Sequence, residues 1–259
     1  MFDLFKKSPV LDEPSITWLF ETYCWALRNF GSDVFYDEVV LVTPSNKHFP
    51  GRENSVEGMA QLIFDQVRNH AGLSHWPCRL IDQVNEDCEM PPTELVTIHG
   101  SLWGSAGKVV DSDAAVERLL IVYDAGLVGN PEVLIASYAQ QMAHHMGTMV
   151  KDEVPGGIEN WLHMTEVLAV MLGFGTMFAN TALVVKTGCG GCRSGATRAN
   201  ALGEPDITYA FAIFCVLKGI PVAEAAPHLK SSLRRLFKRA VKDVISRHEM
   251  LETIPGYKG

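Results

Sequence analysis

The stretch from residue 167 to 185, VLAVMLGFGTMFANTALVV, has 19 consecutive residues without a charge and limits the folds open to this chain. A segment of that length can cross a membrane, or it can form a helix buried on all sides in a protein core. Two glycines, Asn180 and two threonines dilute its hydropathy, and the sequence has no second such segment. We therefore expect a buried central helix, from about 158 to 183, and no membrane span.

The strand signals lie in the first half of the chain, and most of the helix signals lie in the second half. Short β-prone runs occur at DEVVLVTP, CRLI, ELVTIHGSLWG and ERLLIVYD, all before residue 125. Two helices are predicted in the same part: PSITWLFETYCWALRNFG, which ends at Gly31, and a helix from about Ser55 to His70 that the Ser55 hydroxyl can cap. Helical patterns account for most of the chain after residue 125. The sequence therefore predicts one α+β domain over residues 1–259. In it, a helix-and-sheet part (1–125) contributes a small mixed sheet that packs on a helical part (126–259).

Composition and charge narrow the class of function. Lysine and arginine number 22 against 30 aspartates and glutamates, a net charge of −8, which argues against general nucleic-acid binding. The start of the chain has no apolar run of signal-peptide length, and six scattered cysteines do not form a disulfide framework. Cys189 and Cys192 form a single C-x-x-C in a glycine-rich stretch that we expect to be a loop. These features favour a cytoplasmic protein.

A helix with clear start signals carries the most informative motif. Asn130 suits the N-cap, Pro131 suits the first helical position, and the pattern continues to about residue 146. Its last two turns read QQMAHH. In H-E-x-x-H zinc proteases, two histidines four residues apart bind one metal, and the glutamate between them takes a proton from the zinc-bound water. Here Gln140 and Gln141 stand at the first histidine and the glutamate, and only His144 remains.

Both replacements are severe in chemical terms. An amide oxygen is a weak ligand where zinc prefers imidazole, thiolate or carboxylate, and Gln141 has no group that could act as a general base near neutral pH. The spacing alone also fits a polar helix end with His144 and His145 near solvent. Two features favour the zincin interpretation: strand-like ERLLIVYD precedes the helix, and Glu166 follows His144 by 22 residues. That is near the spacing at which glutamate zincins supply their third ligand.

Four sequence blocks resemble successive blocks of an uncharacterised bacterial family of zincin-like, H-E-x-x-H type metallopeptidases. They are HFPGRENSVEGMAQLIFDQVRNHAG, NPEVLIASYAQQMAHHMG, TEVLAVMLGFGTMFANTA and DITYAFAIFCVL. The resemblance spans most of the chain and implies a zincin-like fold, with zinc expected in the relatives. It implies that His144 matches the second zinc histidine and Glu166 the acidic ligand, whereas Gln140 and Gln141 match the missing ligand and base.

These observations lead to one expected function and two alternatives. We expect a degenerate, non-catalytic metallopeptidase relative that binds a peptide or protein in the former cleft, with zinc absent or weakly bound. One alternative is a metal-dependent hydrolase with a rearranged set of His144, His163 and Glu166, of which the last two share a helix face. The other is an interaction protein that uses the basic helix 228–248. Its candidate binding residues are Arg234, Arg235, Lys238 and Arg239.

Overall fold

A computed structural model describes residues 9–83, 96–108, 118–182 and 201–259. The predicted α+β class is confirmed, and the loop predicted around Cys189 and Cys192 lies outside the described residues. The helices in the described part are α1 (Glu13–Phe30), α2 (Ser32–Asp37), α3 (Val56–His70), α4 (Pro131–Thr148), α5 (Trp161–Ala169), α6 (Gly175–Thr181), α7 (Glu204–Leu217), α8 (Val222–Ala225), α9 (Ser231–Ser246) and α10 (His248–Glu252). The strands are β1 (Cys78–Asp82), β2 (His99–Gly100), β3 (Gly107–Lys108) and β4 (Leu119–Tyr123).

The strands form two small ladders. β1 and β4 are parallel, with Cys78 opposite Leu119 and Asp82 opposite Tyr123, whereas β2 and β3 form a short antiparallel pair. The strands predicted at CRLI and ERLLIVYD are therefore confirmed. The strand predicted at DEVVLVTP is wrong, because residues 39–43 run beside a helix rather than beside another strand.

Three predicted helices, α1, α3 and α4, are confirmed, although the Asn130 side chain forms no cap hydrogen bond at the start of α4. The Asp12 carboxylate accepts from the backbone N–H of Ser15 at the start of α1, and α1 ends at Gly31 with a φ of 101°. The Ser55 hydroxyl accepts from the backbone N–H of Gly58 at the start of α3. These bonds satisfy donors that the first turn of a helix leaves without a partner. Helix α4 runs to Thr148, two residues beyond its predicted end.

The long apolar stretch lies in the core. The helical run Ile158–Thr181 is the one stretch among the described residues with the length and hydropathy of a membrane span, and 89% of its most apolar window is buried. Such burial is typical of the central helix of a globular core. One contiguous core includes residues of both halves of the chain, from Ile16 in α1 to Ile254 after α10.

A polar residue inside this stretch joins three segments. Asn180 in α6 donates to the Glu132 carboxylate at 3.2 Å and to the His228 carbonyl oxygen at 3.0 Å, and its own Oδ1 accepts from the Lys230 backbone N–H at 2.9 Å. A buried amide with all these partners carries little desolvation penalty. Asn180 thereby fixes α6 to the start of α4 and to the turn that leads into α9.

Gly173 interrupts the predicted helix 158–183. Its φ is 102°, within a wide helical turn over residues 170–174 that separates α5 from α6. The turn frees the Gly173 carbonyl oxygen, which accepts from the Val42 backbone N–H at 3.0 Å. A Cβ at this glycine would lie 2.4 Å from the Val40 carbonyl oxygen, so the segment that was predicted to be a strand packs directly on this kink.

Helix α4 lies between β4 and α5 and contacts both. Its approach to α5 is close because residue 147 is a glycine: a Cβ there would lie 3.0 Å from the Trp161 ring and 3.2 Å from the Met164 methyl group. On its core side, Tyr138 packs edge-on against Phe64 of α3, with ring centroids 5.3 Å apart. The rotation of α4 about its axis therefore decides which side chains of QQMAHH face the strand and which face α5.

The kink at Gly173 gives the first prediction. Gly173→Ala adds a Cβ that clashes with the Val40 carbonyl oxygen and also strains a positive φ. Gly219→Ala is the matched control, since Gly219 has a φ of 63° and no atom within 4 Å of an added Cβ. Both variants should lose about 1–2 kcal/mol through φ strain, and Gly173→Ala should lose about 1–3 kcal/mol more through overpacking. Urea unfolding measures both, and equal losses would contradict the packing of residues 40–42 on the kink.

Candidate functional site

Strand β4 has a strand neighbour on one edge only in the described part of the chain. The Leu119 backbone N–H donates to the Pro77 carbonyl oxygen, and the Tyr123 carbonyl oxygen accepts from the Gln83 backbone N–H. Both bonds point toward β1. Because the backbone groups of successive strand residues alternate in direction, those of Leu120 and Val122 point toward the opposite edge, where α4 lies.

Side chains of α4 complete that second edge. The Val122 backbone N–H donates to Gln141 Oε1 at 2.8 Å, and Gln141 Nε2 donates to the Val122 carbonyl oxygen at 2.8 Å. One turn later, His145 Nε2 lies 3.3 Å from the Leu120 carbonyl oxygen, which can only accept, so Nε2 carries the proton. The Gln141 amide thus takes the place of a backbone amide in a neighbouring strand, and the strand edge is protected.

His145 is 8% exposed, so the interpretation that placed both histidines near solvent is wrong for this residue. The reason is its position four residues after Gln141, on the face of α4 that contacts β4. Desolvation lowers the pKa of His145, opposed by its bond to the Leu120 carbonyl oxygen. It is a structural donor to the strand.

Gln141 is suited to this position in a way that glutamate is not. The Val122 N–H needs an acceptor and the Val122 carbonyl oxygen needs a donor, and an amide side chain offers one of each. An ionised carboxylate offers acceptors only and would face the carbonyl oxygen with like charge. Gln141 is therefore part of the scaffold.

His144 is exposed on the face of α4 that looks toward α5. Trp161 Nε1 donates to His144 Nδ1 at 3.0 Å, and the two rings meet edge-on with centroids 5.5 Å apart. Since an indole N–H can only donate, His144 Nδ1 is unprotonated and the proton sits on Nε2. Desolvation lowers the pKa of His144, which keeps the ring neutral. A zinc-bound histidine normally donates its second N–H to an acceptor, the reverse of this arrangement.

Glu166 is fully buried in α5 and contacts a different part of the molecule. Its carboxylate accepts from the backbone N–H of Leu202 at 2.8 Å and of Ala201 at 3.2 Å. Hydrogen bonds to backbone N–H groups offset part of the cost of burying a carboxylate. Glu166 therefore holds the chain that leads into α7.

His163 lies on the other side of α5 from His144. Trp161, which contacts His144, and His163 are two residues apart, a rotation of about 200° on a helix. The His163 ring packs edge-on against Trp18 of α1 at 6.3 Å, and its Nδ1 is buried with no hydrogen-bond partner. The structure does not bring His144, His163 and Glu166 together.

The side chains of His144, His163 and Glu166, as arranged, do not form a zinc site. Within the four described ranges, no group of three or more histidine, cysteine, aspartate or glutamate side chains is placed to hold a metal. Gln140 is partly exposed one turn before His144 and forms no hydrogen bond or ion pair among the described residues. The rearranged hydrolase site therefore has no geometric support.

A pocket of about 430 Å³ opens beside Glu166, between α1, α5 and the start of α7. We call it the α1–α5–α7 pocket. The main side chains in its lining are Trp18, Leu19, Asn160, His163, Leu202 and Asp206. Sequence patterns missed it, because its walls come from three distant segments and Trp18 fits the apolar stripe of α1 equally well.

The basic helix α9 is shorter than predicted, at Ser231–Ser246. Arg234 donates from Nε and Nη2 to two backbone carbonyl oxygens just before the helix, at 3.0 Å each. Arg235 and Lys238 are exposed, and Arg239 is partly buried. At least one of the four predicted binding residues therefore supports the local backbone.

No protein-family model, curated protein or solved structure is significantly similar to this chain.

The pairing of Gln141 with Val122 gives the second prediction. In Gln141→Glu, an ionised carboxylate faces the Val122 carbonyl oxygen, so the folded state favours the protonated acid and its pKa rises. The loss of folding stability is fully present above that raised pKa. It disappears below the pKa of glutamate in the unfolded state, about 4.3. We expect a loss of about 2–3 kcal/mol at pH 7 that shrinks as the pH falls, measured by urea unfolding at pH 7 and pH 5.

Gln140→Glu is the matched control, because it is the same chemical change one residue earlier at a side chain without described bonds. It should alter stability by less than about 0.5 kcal/mol at either pH. An equal loss for Gln141→Glu at both pH values would show that the Val122 carbonyl oxygen does not need a donor from α4.

The Trp161–His144 bond gives the third prediction. Trp161→Phe removes the N–H that stabilises the neutral His144 ring and opens the ring to water, so the pKa of His144 should rise. An NMR titration of the histidine ring protons measures it. His145 serves as the internal control, since its bond is to β4 and its pKa should move much less. An unchanged or lower pKa for His144 would contradict the assigned tautomer.

Proposed function

We propose that this protein is a degenerate relative of zincin-like metallopeptidases that does not hydrolyse peptides and instead binds a peptide or protein segment. The observation that carries the proposal is the pair of 2.8 Å bonds between Gln141 and Val122. At the position where the resembling family has its catalytic glutamate, this chain uses a side chain to complete a strand edge.

The loss of catalysis follows from the chemistry of three positions. Gln141 cannot accept a proton from water near neutral pH. Gln140 offers only an amide oxygen, and His144 presents a protonated Nε2 while its Nδ1 accepts from Trp161. Zinc would have to displace that bond and find further ligands elsewhere, so we expect it to be absent or weakly bound.

The binding role is supported by the use of Glu166. In the resemblance this residue matches the acidic zinc ligand. Here its carboxylate holds the backbone of Ala201 and Leu202, two residues that line the α1–α5–α7 pocket. The pocket volume of about 430 Å³ falls within the range of small-ligand and side-chain sites, about 300–1,000 Å³. A former ligand residue thus supports the wall of an open pocket.

Tryptophan indole signals provide the test and form the fourth prediction. The chain has five tryptophans; Trp18 lies in the pocket and Trp161 lies beside His144 on the other side of α5. In a protein labelled with ¹⁵N at the indoles, a mixture of random acetylated hexapeptides should shift the Trp18 signal and leave the Trp161 signal in place. Trp18→Phe and Trp161→Phe assign the two signals.

Two results would contradict the proposal. One is the absence of any shift at Trp18 at millimolar peptide. The other is cleavage of the same peptide mixture in the presence of added zinc, provided that a chelator stops it. A shift at Trp161 alone would place binding at the His144 face and remove the pocket from the proposal.

A further inference from the structure

We propose that the α1–α5–α7 pocket recognises a basic side chain, an arginine in preference to a lysine, with Asp206 as its counter-ion and Trp18 as its packing surface. This inference rests on the proposed peptide-binding function and names the chemistry that the same pocket selects. It follows from the pattern of charge, apolar surface and hydrogen-bond acceptors in the lining.

The pocket is acidic in the part of its lining that the structure describes. Asp206 is the carboxylate in the lining, and none of the described lining residues is a lysine or an arginine. Burial raises the pKa of Asp206, the nearby Asp12 carboxylate raises it further, and His163 opposes both. A cation in the pocket would favour the ionised carboxylate, because opposite charges at short range stabilise each other.

The position of Asp206 at the start of α7 leaves acceptor positions on its carboxylate for a ligand. Asp206 is the third residue of α7, a helix whose start has no side-chain cap hydrogen bond. A carboxylate has about four acceptor positions. Because Asp206 lines the pocket, a ligand donor in the pocket can reach these positions.

The apolar wall suits the stem of a long basic side chain. Trp18 is held in place by its indole N–H, which donates to the Pro155 carbonyl oxygen at 2.8 Å, and Leu19 and Pro14 line the pocket beside it. Lysine and arginine bury their methylene groups against such surfaces while the charged head reaches a polar group. A guanidinium also stacks on indole faces more readily than an ammonium does.

A second acceptor favours arginine over lysine. The Asn160 amide nitrogen donates to the Gly156 carbonyl oxygen at 3.1 Å, which leaves Asn160 Oδ1 as an acceptor in the lining. A guanidinium offers five donors in a planar fork and can serve several acceptors at once.

The fifth prediction tests this selection with labelled peptides. A set of fluorescein-labelled, amidated pentapeptides, Gly-Ala-X-Ala-Gly, carries arginine, lysine, citrulline, glutamate or leucine at X. Fluorescence anisotropy gives the dissociation constants. The arginine peptide should bind at least about tenfold more tightly than the citrulline peptide, which has the same shape but no charge, because a charge-assisted hydrogen bond is stronger than a neutral one.

Asp206→Asn should abolish the difference between arginine and citrulline. Glu204→Gln is the matched control, since it removes the same charge from the same first turn of α7 at a residue outside the pocket lining, and it should keep the preference. Trp18→Leu should weaken all the peptides. The melting temperature of each variant separates binding from folding, and the arginine–citrulline comparison on the unaltered protein holds even if a variant fails to fold.

The outcomes separate the two proposals. If all five peptides bind alike and shift the Trp18 indole signal, the basic preference is wrong and the peptide-binding function stands. If the preference for arginine survives Asp206→Asn, Asp206 is not the counter-ion and the inference falls. If no peptide binds at millimolar concentration, both the inference and the binding function are wrong.

Discussion

The rest of the site depends on the contact between the Gln141 amide and the backbone of Val122. Strand β4 presents an N–H and a carbonyl oxygen toward α4, and burying them without partners would cost several kcal/mol. Gln141 supplies both partners, and His145 supplies the next donor along the strand. These bonds set the rotation of α4, and that rotation places His144 against Trp161 and Tyr138 against α3.

Local signals in the sequence predicted the helices well, because a cap and an apolar stripe are properties of neighbouring residues. Ser55 and Pro131 mark helix starts that the structure has, and Gly31 marks the end of α1. The strand expected at residues 39–43 failed for the opposite reason. Its β-prone residues need a strand partner, and the partner that the fold supplies is the carbonyl oxygen of Gly173. The positive φ of that glycine is a tertiary feature that no helical pattern encodes.

In the candidate site, too, some features follow from the residue types and others depend on packing. The chemical limits of Gln140 and Gln141 could be read from the side chains alone. The direction of each polar group of QQMAHH could not be read from the sequence, because it depends on how β4 and α5 flank the helix. The separation of His144 from His163 follows from the rotation of α5, and the α1–α5–α7 pocket joins Trp18 to Asp206, which are far apart in sequence. Such contacts are decided by packing, which a single sequence does not record.

The cover that α4 provides over β4 also bears on aggregation. The strand reads LLIVY, five apolar, charge-free residues rich in β-branched and aromatic side chains, which is the composition of segments that stack into cross-β assemblies. The Gln141 side chain satisfies the edge of β4 only while α4 remains packed on the strand. If α4 separates from β4, the hydrogen bonds of Gln141 are lost with it. Any partial opening that lifts α4 from the sheet would uncover an edge able to pair with the same edge of a second molecule. The two bonds of Gln141 therefore keep this strand edge paired in the folded protein.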